Sequence, residues 1–110
     1  MNSLTVTAGD IAPRLNNLRQ YMPDADETLC AFARYLATRL GPEVTPIQFQ
    51  IDWLLAVNHW PRGDCNKVKA CADANLQKVV DTIFPADFAA EIRSLTKQVD
   101  AFLEEVGDAA

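Results

Sequence analysis

Apolar residues recur every three or four positions along most of this chain, and prolines and glycines interrupt the pattern. That spacing places the apolar side chains on one face of an α-helix, and the interruptions at Pro23, Gly41, Pro61 and Pro85 mark where successive helices should end. No segment alternates apolar and polar residues as a half-buried strand does. The sequence therefore predicts an all-α fold, a compact five-helix bundle-like domain with a long C-terminal amphipathic helix.

The predicted helices follow from these interruptions and from residues that suit helix ends. They cover residues 10–21, 24–40, 45–59, 64–84 and 86–106. The expected N-caps of the first four helices are Asp10, Asp24, Thr45 and Asp64. Gly107 is expected to terminate the last helix. Residues 1–9 show no apolar periodicity, so we expect a flexible N-terminal arm there and a single helical domain over residues 10–110.

The third predicted helix carries apolar residues on two faces rather than one. One face holds Ile47, Ile51, Leu54 and Leu55, and the other holds Phe49, Trp53, Val57 and Trp60. A helix that is apolar nearly all round is either central in a core or half exposed for a partner. Because Trp and other aromatic residues are enriched at binding hot spots, Phe49, Trp53 and Trp60 are candidates for contact with another protein.

The fifth predicted helix repeats its apolar residues in heptads. The spacing is 4-3-4-3-4 over Phe88, Ile92, Leu95, Val99, Phe102 and Val106. Such a face belongs either to the core of the bundle or to an interface with a partner. On the second interpretation Phe88, Ile92, Leu95, Val99 and Phe102 are protein-interaction candidates, and we expect a homodimer.

The charge of the chain is negative and unevenly distributed. Its fifteen acidic and ten basic side chains give a net charge of -5. Residues 62–80 hold four bases against two acids, whereas residues 81–110 hold seven acids against two bases. The basic candidates for an anion or an acidic partner are Arg62, Lys67 and Lys69. A helical DNA-binding regulator using residues 62–69 is one alternative function, but the overall acidity disfavours nucleic acid.

No motif for catalysis, a cofactor or a metal stands out. The chain has one histidine and three cysteines, and the spacing of these residues does not match a zinc site. Cys65 falls at the predicted start of a helix, where the dipole favours a thiolate, so a thiol-dependent enzyme is a second alternative. An odd number of cysteines suits a reducing compartment, and no apolar run reaches membrane-spanning length.

By exclusion, these features favour a small non-enzymatic regulator in the cytoplasm that binds another protein. An inhibitor, an antiactivator, an immunity-type protein or an adaptor would each need only an amphipathic surface. We expect no cofactor and no membrane partner.

Overall fold

The computed structural model describes the backbone of residues 4–61 and 63–109, and the side chains of these residues except 103 and 106–109. Within them the chain forms five α-helices, and the all-α bundle-like fold is confirmed. The helices are α1 (Ala8–Asn16), α2 (Glu27–Ala37), α3 (Pro46–Asn58), α4 (Cys65–Ile83) and α5 (Ala86–Ala109). A 3-10 turn at Leu18–Gln20 follows α1. Two strands of two residues each, β1 (Val6–Thr7) and β2 (Glu43–Val44), complete the elements.

The N-caps explain where the first three helices begin. Thr45 Oγ1 accepts the Gln48 N–H at 3.2 Å, so the predicted cap of α3 is confirmed. The predicted cap Asp24 is wrong, because this residue lies in a turn that the Ala25 N–H closes onto the Met22 carbonyl.

The helix α2 is capped two residues later than predicted. Asp26 Oδ1 accepts the Leu29 N–H at 2.8 Å. The first helix also differs from its prediction, because Thr7 caps it and the predicted cap Asp10 lies inside its first turn, donating its own N–H to Thr7 Oγ1.

The N-terminal segment is more ordered than the expected arm. Val6 pairs with Val44 and Thr7 pairs with Glu43 in an antiparallel arrangement. The Ala8 N–H continues this contact by donating to the Pro42 carbonyl at 3.0 Å. The expected flexible arm therefore does not extend over residues 6–9, and residues 1–3 of it lie outside the described part. Strands of two residues are too short to produce an alternating pattern in the sequence.

Three predicted helix ends also shift. The predicted helix 10–21 divides into α1 and the 3-10 turn, and α2 ends at Ala37 rather than at residue 40. Gly107 was expected to terminate the last helix, but α5 continues through it to Ala109. Glycine in a helix is unfavourable but tolerated, so glycine alone did not locate this end.

The core centres on aromatic rings from several helices. Phe32 of α2 contacts Trp53 of α3 with the ring centroids 4.9 Å apart. Phe49 packs edge-on to Phe84 at 4.8 Å, and Phe84 stacks on Phe88 at 4.5 Å. The α4–α5 joint is thereby fixed against α3, because Phe84 and Phe88 lie on either side of that joint.

The short joint at Pro85 folds α5 back along α4. Arg93 Nη2 donates to both carboxylate oxygens of Asp81 at 3.0 Å, and Gln77 Nε2 donates to the Ala89 carbonyl at 3.2 Å. The start of α5 therefore lies against α4.

Candidate protein-binding surface

The two apolar faces of α3 have opposite surroundings. Phe49 and Trp53 are buried, so these two predicted interaction candidates lie in the core rather than on a surface open to a partner. Trp60 is half-buried and packs edge-on to Tyr35, with the ring centroids 5.5 Å apart. The other face is exposed and comprises Ile47, Ile51, Leu54 and Leu55. The structure thus places the face without aromatic residues on the surface and most of the aromatic face in the core.

The heptad face of α5 changes character along its length. Phe88 and Ile92 are fully buried, so these two candidates belong to the core. Leu95 is half-buried, and Val99 and Phe102 are exposed. Val106 lies outside the described side chains. The core interpretation therefore holds for the first turns of this face, whereas its later turns are exposed.

The exposed part of α5 lies beside the exposed face of α3. Gln50 Nε2 donates a hydrogen bond to Thr96 Oγ1 at 3.1 Å, which ties the two helices together at this point. A groove of about 400 Å³ opens next to this bond, and Leu54 and Val99 both line it. Its other lining residues are Gln50, Trp53, Asp73, Leu76, Thr96 and Asp100. We call this the α3–α5 groove.

The exposed apolar residues on both helices form one continuous surface. We define the α3–α5 surface as Ile47, Ile51, Leu54, Leu55, Val99 and Phe102. Their exposed fractions range from 38% at Leu55 to 63% at Phe102. Residues three or four apart on a helix are neighbours, and Leu54 and Val99 line the same groove from the two helices. Six such side chains present several hundred Å² of apolar area, a size at which a patch on a monomer is often functional.

The charged residues around this surface are mostly acidic. Glu91 lines a cavity of about 340 Å³ together with Ile47, and Asp100 lines the α3–α5 groove. Glu105 is exposed on the later turns of α5, three residues after Phe102. None of these three acids forms an ion pair with another described residue.

Few basic residues balance these acids. The helix α3 contains neither Lys nor Arg, and α5 contains only Arg93 and Lys97. Arg93 is bound to Asp81 of α4, which leaves Lys97 as the base of α5 on the exposed side of the helix. The rim of the α3–α5 surface is therefore negatively charged.

The predicted basic cluster does not form a single patch in the described residues. Lys67 and Lys69 are both exposed, but two positions along a helix correspond to a rotation of about 200°, so they point to different sides of α4. Lys69 Nζ also pairs with Asp73 Oδ2 of its own helix at 3.1 Å. Arg62 lies outside the described residues.

The cysteines and the histidine are dispersed. Cys65 is exposed at the first residue of α4, Cys30 is buried, and the three cysteines, all within the described residues, form no disulfide. The pKa of the Cys71 thiol is raised, first by burial and then by the charge of Asp26, whose Oδ1 lies 3.9 Å from the sulfur. His59 Nδ1 lies 3.4 Å from Arg39 Nη2.

Among the described residues, no group of three or more His, Cys, Asp or Glu side chains is placed to hold a metal ion. None of the described helices combines the length and apolar character needed to cross a membrane. Comparisons with protein-family models, with curated proteins and with solved structures found no match.

The outer face of α3 was not among the predicted interaction candidates, although the sequence carried a signal for it. A helix with two apolar faces needs neighbours on both sides to bury them. The other four helices are also amphipathic and need the same core. Counting the faces that a bundle of this size can cover would have predicted one exposed face, but not which one.

Proposed function

We propose that this chain is a small non-enzymatic regulatory protein that acts by binding another protein through the α3–α5 surface. The observation that carries the proposal is the grouping of exposed large apolar residues. Of the seven that the described residues contain, six belong to this surface, and the seventh is Tyr21. Scattered exposed apolar residues need no explanation, but a contiguous group rimmed by polar residues is typical of a protein interface.

The geometry supports binding because the surface is formed by two helices that pack on one core. Leu54 and Val99 are held at the groove by helices that share buried residues, including Phe49 and Phe88, whose ring centroids lie 6.2 Å apart. A surface of this kind loses little conformational entropy when a partner docks. An inhibitor, an antiactivator, an immunity-type protein or an adaptor would use it in the same way, and we propose action in the cytoplasm.

A homodimer is the second candidate, and the distal heptad positions of α5 favour it. Val99 and Phe102 continue the spacing of Phe88 and Ile92 beyond the part that the chain itself covers. A second copy related by a two-fold axis would bury the same residues on both subunits.

Site-specific photo-crosslinking tests the proposal. A photoreactive amino acid replaces Leu54 in one variant and the exposed turn residue Asp24 in a control variant, and both are incubated in extract from the source cells. We expect a crosslinked product from position 54 that position 24 does not give, and loss of that product when Ile51→Glu is added. Mass spectrometry then distinguishes another protein from a second copy of this chain.

Two results would contradict the proposal. One is the absence of any product from position 54 in extract and in purified protein. The other is an identical set of products from positions 54 and 24. Circular dichroism of each variant confirms that the helices are retained.

A further inference from the structure

We propose that the partner segment bound by the α3–α5 surface is a basic amphipathic helix, whose apolar side chains enter the α3–α5 groove and whose lysine or arginine side chains meet the acidic rim. This inference rests on the proposed function and specifies the chemistry of the partner. Three observations support it: the shape of the groove, the acidic residues around the groove, and the negative net charge of a second copy of the chain, which is the other possible occupant.

The shape of the groove suits an inserted side chain rather than a flat contact. Leu54 of α3 and Val99 of α5 stand exposed at its sides, whereas Trp53 is buried and Leu76 of α4 is half-buried. The outer residues of α3 continue the apolar surface along the helix axis away from the groove. An amphipathic helix presents anchors at positions i, i+3, i+4 and i+7, which match an apolar strip of this form.

The charge of the rim selects a basic partner. Glu91 lies next to Ile47, Asp100 lies in the groove, and Glu105 follows Phe102 by three residues, so each acid neighbours an apolar residue of the surface. Since these acids make no ion pair with a described residue, they are available to cations of a partner. Opposite charges at the rim would also accelerate encounter and fix the register of the bound helix.

A second copy of the chain fits this charge less well. Each copy carries a net charge of -5, and a two-fold contact through the surface would bring the acidic rims of the two copies together. Like charges brought together at an interface oppose association, and Lys97 is the one base that each α5 would offer in return.

Synthetic peptides of defined charge test the inference directly. The basic probe is a fluorescein-labelled amphipathic helix of about five turns, built from leucine and lysine. Its acidic twin has glutamate at every lysine position. Fluorescence anisotropy with the full chain measures both dissociation constants at low and at high salt. We expect the basic peptide to bind at least about tenfold more tightly than the acidic one, and to weaken as salt is raised.

Matched variants separate the rim from the overall charge. Asp100→Lys with Glu105→Lys should weaken binding of the basic peptide by about fivefold. Asp10→Lys with Asp24→Lys makes the same change in net charge at exposed positions on α1 and in the turn before α2, and should change binding by less than about twofold. Leu54→Ser should weaken both peptides, since it removes an apolar wall of the groove.

The outcomes distinguish this inference from the proposed function. Equal binding of both peptides, with loss on Leu54→Ser and no effect of the charge variants, overturns the charge preference but leaves the binding surface in place. The charge preference of the rim is also overturned if both charge variants weaken binding of the basic peptide equally, because the peptide is then attracted by net charge alone. If neither peptide binds and ultracentrifugation shows a dimer that Leu54→Ser dissociates, the occupant is a second copy. If neither binds, the protein is a monomer and position 54 gives no crosslink, both proposals fail.

Discussion

The division of the α5 heptad face into a buried and an exposed half leads to a direct prediction about stability. Ile92 and Phe102 occupy the same face of one helix, yet Ile92 is 0% exposed and Phe102 is 63% exposed. We expect Ile92→Ala to be strongly destabilising and Phe102→Ala to be nearly neutral. A face that was packed uniformly would instead make the larger aromatic truncation the more costly one.

The expected magnitudes follow from burial. Truncation of a fully buried isoleucine to alanine removes apolar contacts and leaves a cavity, which lowers the free energy of unfolding by about 2–5 kcal/mol. Phe102→Ala removes a side chain that is mostly in water and introduces a better helix former, so the change should stay within about 0.5 kcal/mol. For a domain of this size, about 3 kcal/mol corresponds to a fall in Tm of roughly 12–24 °C.

Urea denaturation followed by circular dichroism measures both variants against the unmodified protein. The measurement is repeated at two protein concentrations, because association through Phe102 would make the apparent stability of the unmodified protein depend on concentration. A loss above about 1.5 kcal/mol for Phe102→Ala at both concentrations would refute the division of the face. So would a loss below about 1 kcal/mol for Ile92→Ala.

Three further predictions follow from particular contacts. Asp26→Ala should lower the free energy of unfolding by about 1 kcal/mol through loss of the α2 cap, whereas Asp24→Ala should change it by less than about 0.5 kcal/mol, and equal effects in thermal melts would contradict the observed cap. Iodoacetamide should label Cys65 before Cys71, because Cys65 is exposed and the raised pKa of Cys71 leaves a smaller fraction of its thiol ionised than in an ordinary cysteine; mass spectrometry over a pH series checks this order. Asp52 Oδ2 is buried without a hydrogen-bond partner in the described residues, so Asp52→Asn should raise the unfolding free energy by about 1 kcal/mol, and a clear decrease would show that this carboxylate has a stabilising partner.

The helix α3 shows how far the sequence could be interpreted. Thr45 followed by Pro46 located its start correctly, because an N-cap and a first-turn proline act through the adjacent backbone alone. The two apolar faces were also recognised correctly. Which face is buried was not predictable in the same way. The aromatic residues were chosen as interaction candidates because tryptophan is statistically enriched at interfaces, whereas the packing of Phe32 on Trp53 is not visible in the sequence.

The helix α2 shows a different kind of error. Asp24 and Asp26 both precede a suitable apolar run, and Glu27 follows Asp24 at capping-box spacing. The choice between the two aspartates depends on the turn closed by Met22 and Ala25, which directs the chain so that Asp26 meets the first free N–H groups of α2. The capping hydrogen bond itself depends on a few adjacent residues. The turn before α2, however, depends on how the chain packs between the 3-10 turn and α2.

The sequence by itself determined that this chain is helical, roughly where the helices lie and which residues share a face. Those properties arise from backbone geometry and spacing, which act over a few residues. Only the tertiary structure decided that Phe88 and Ile92 are covered while Val99 and Phe102 are not, and that the outer face of α3 lies beside them. The physical reason is that burial depends on which helices are close in space. The core is too small to cover every apolar face that the sequence provides, and the α3–α5 surface is the part that it leaves exposed.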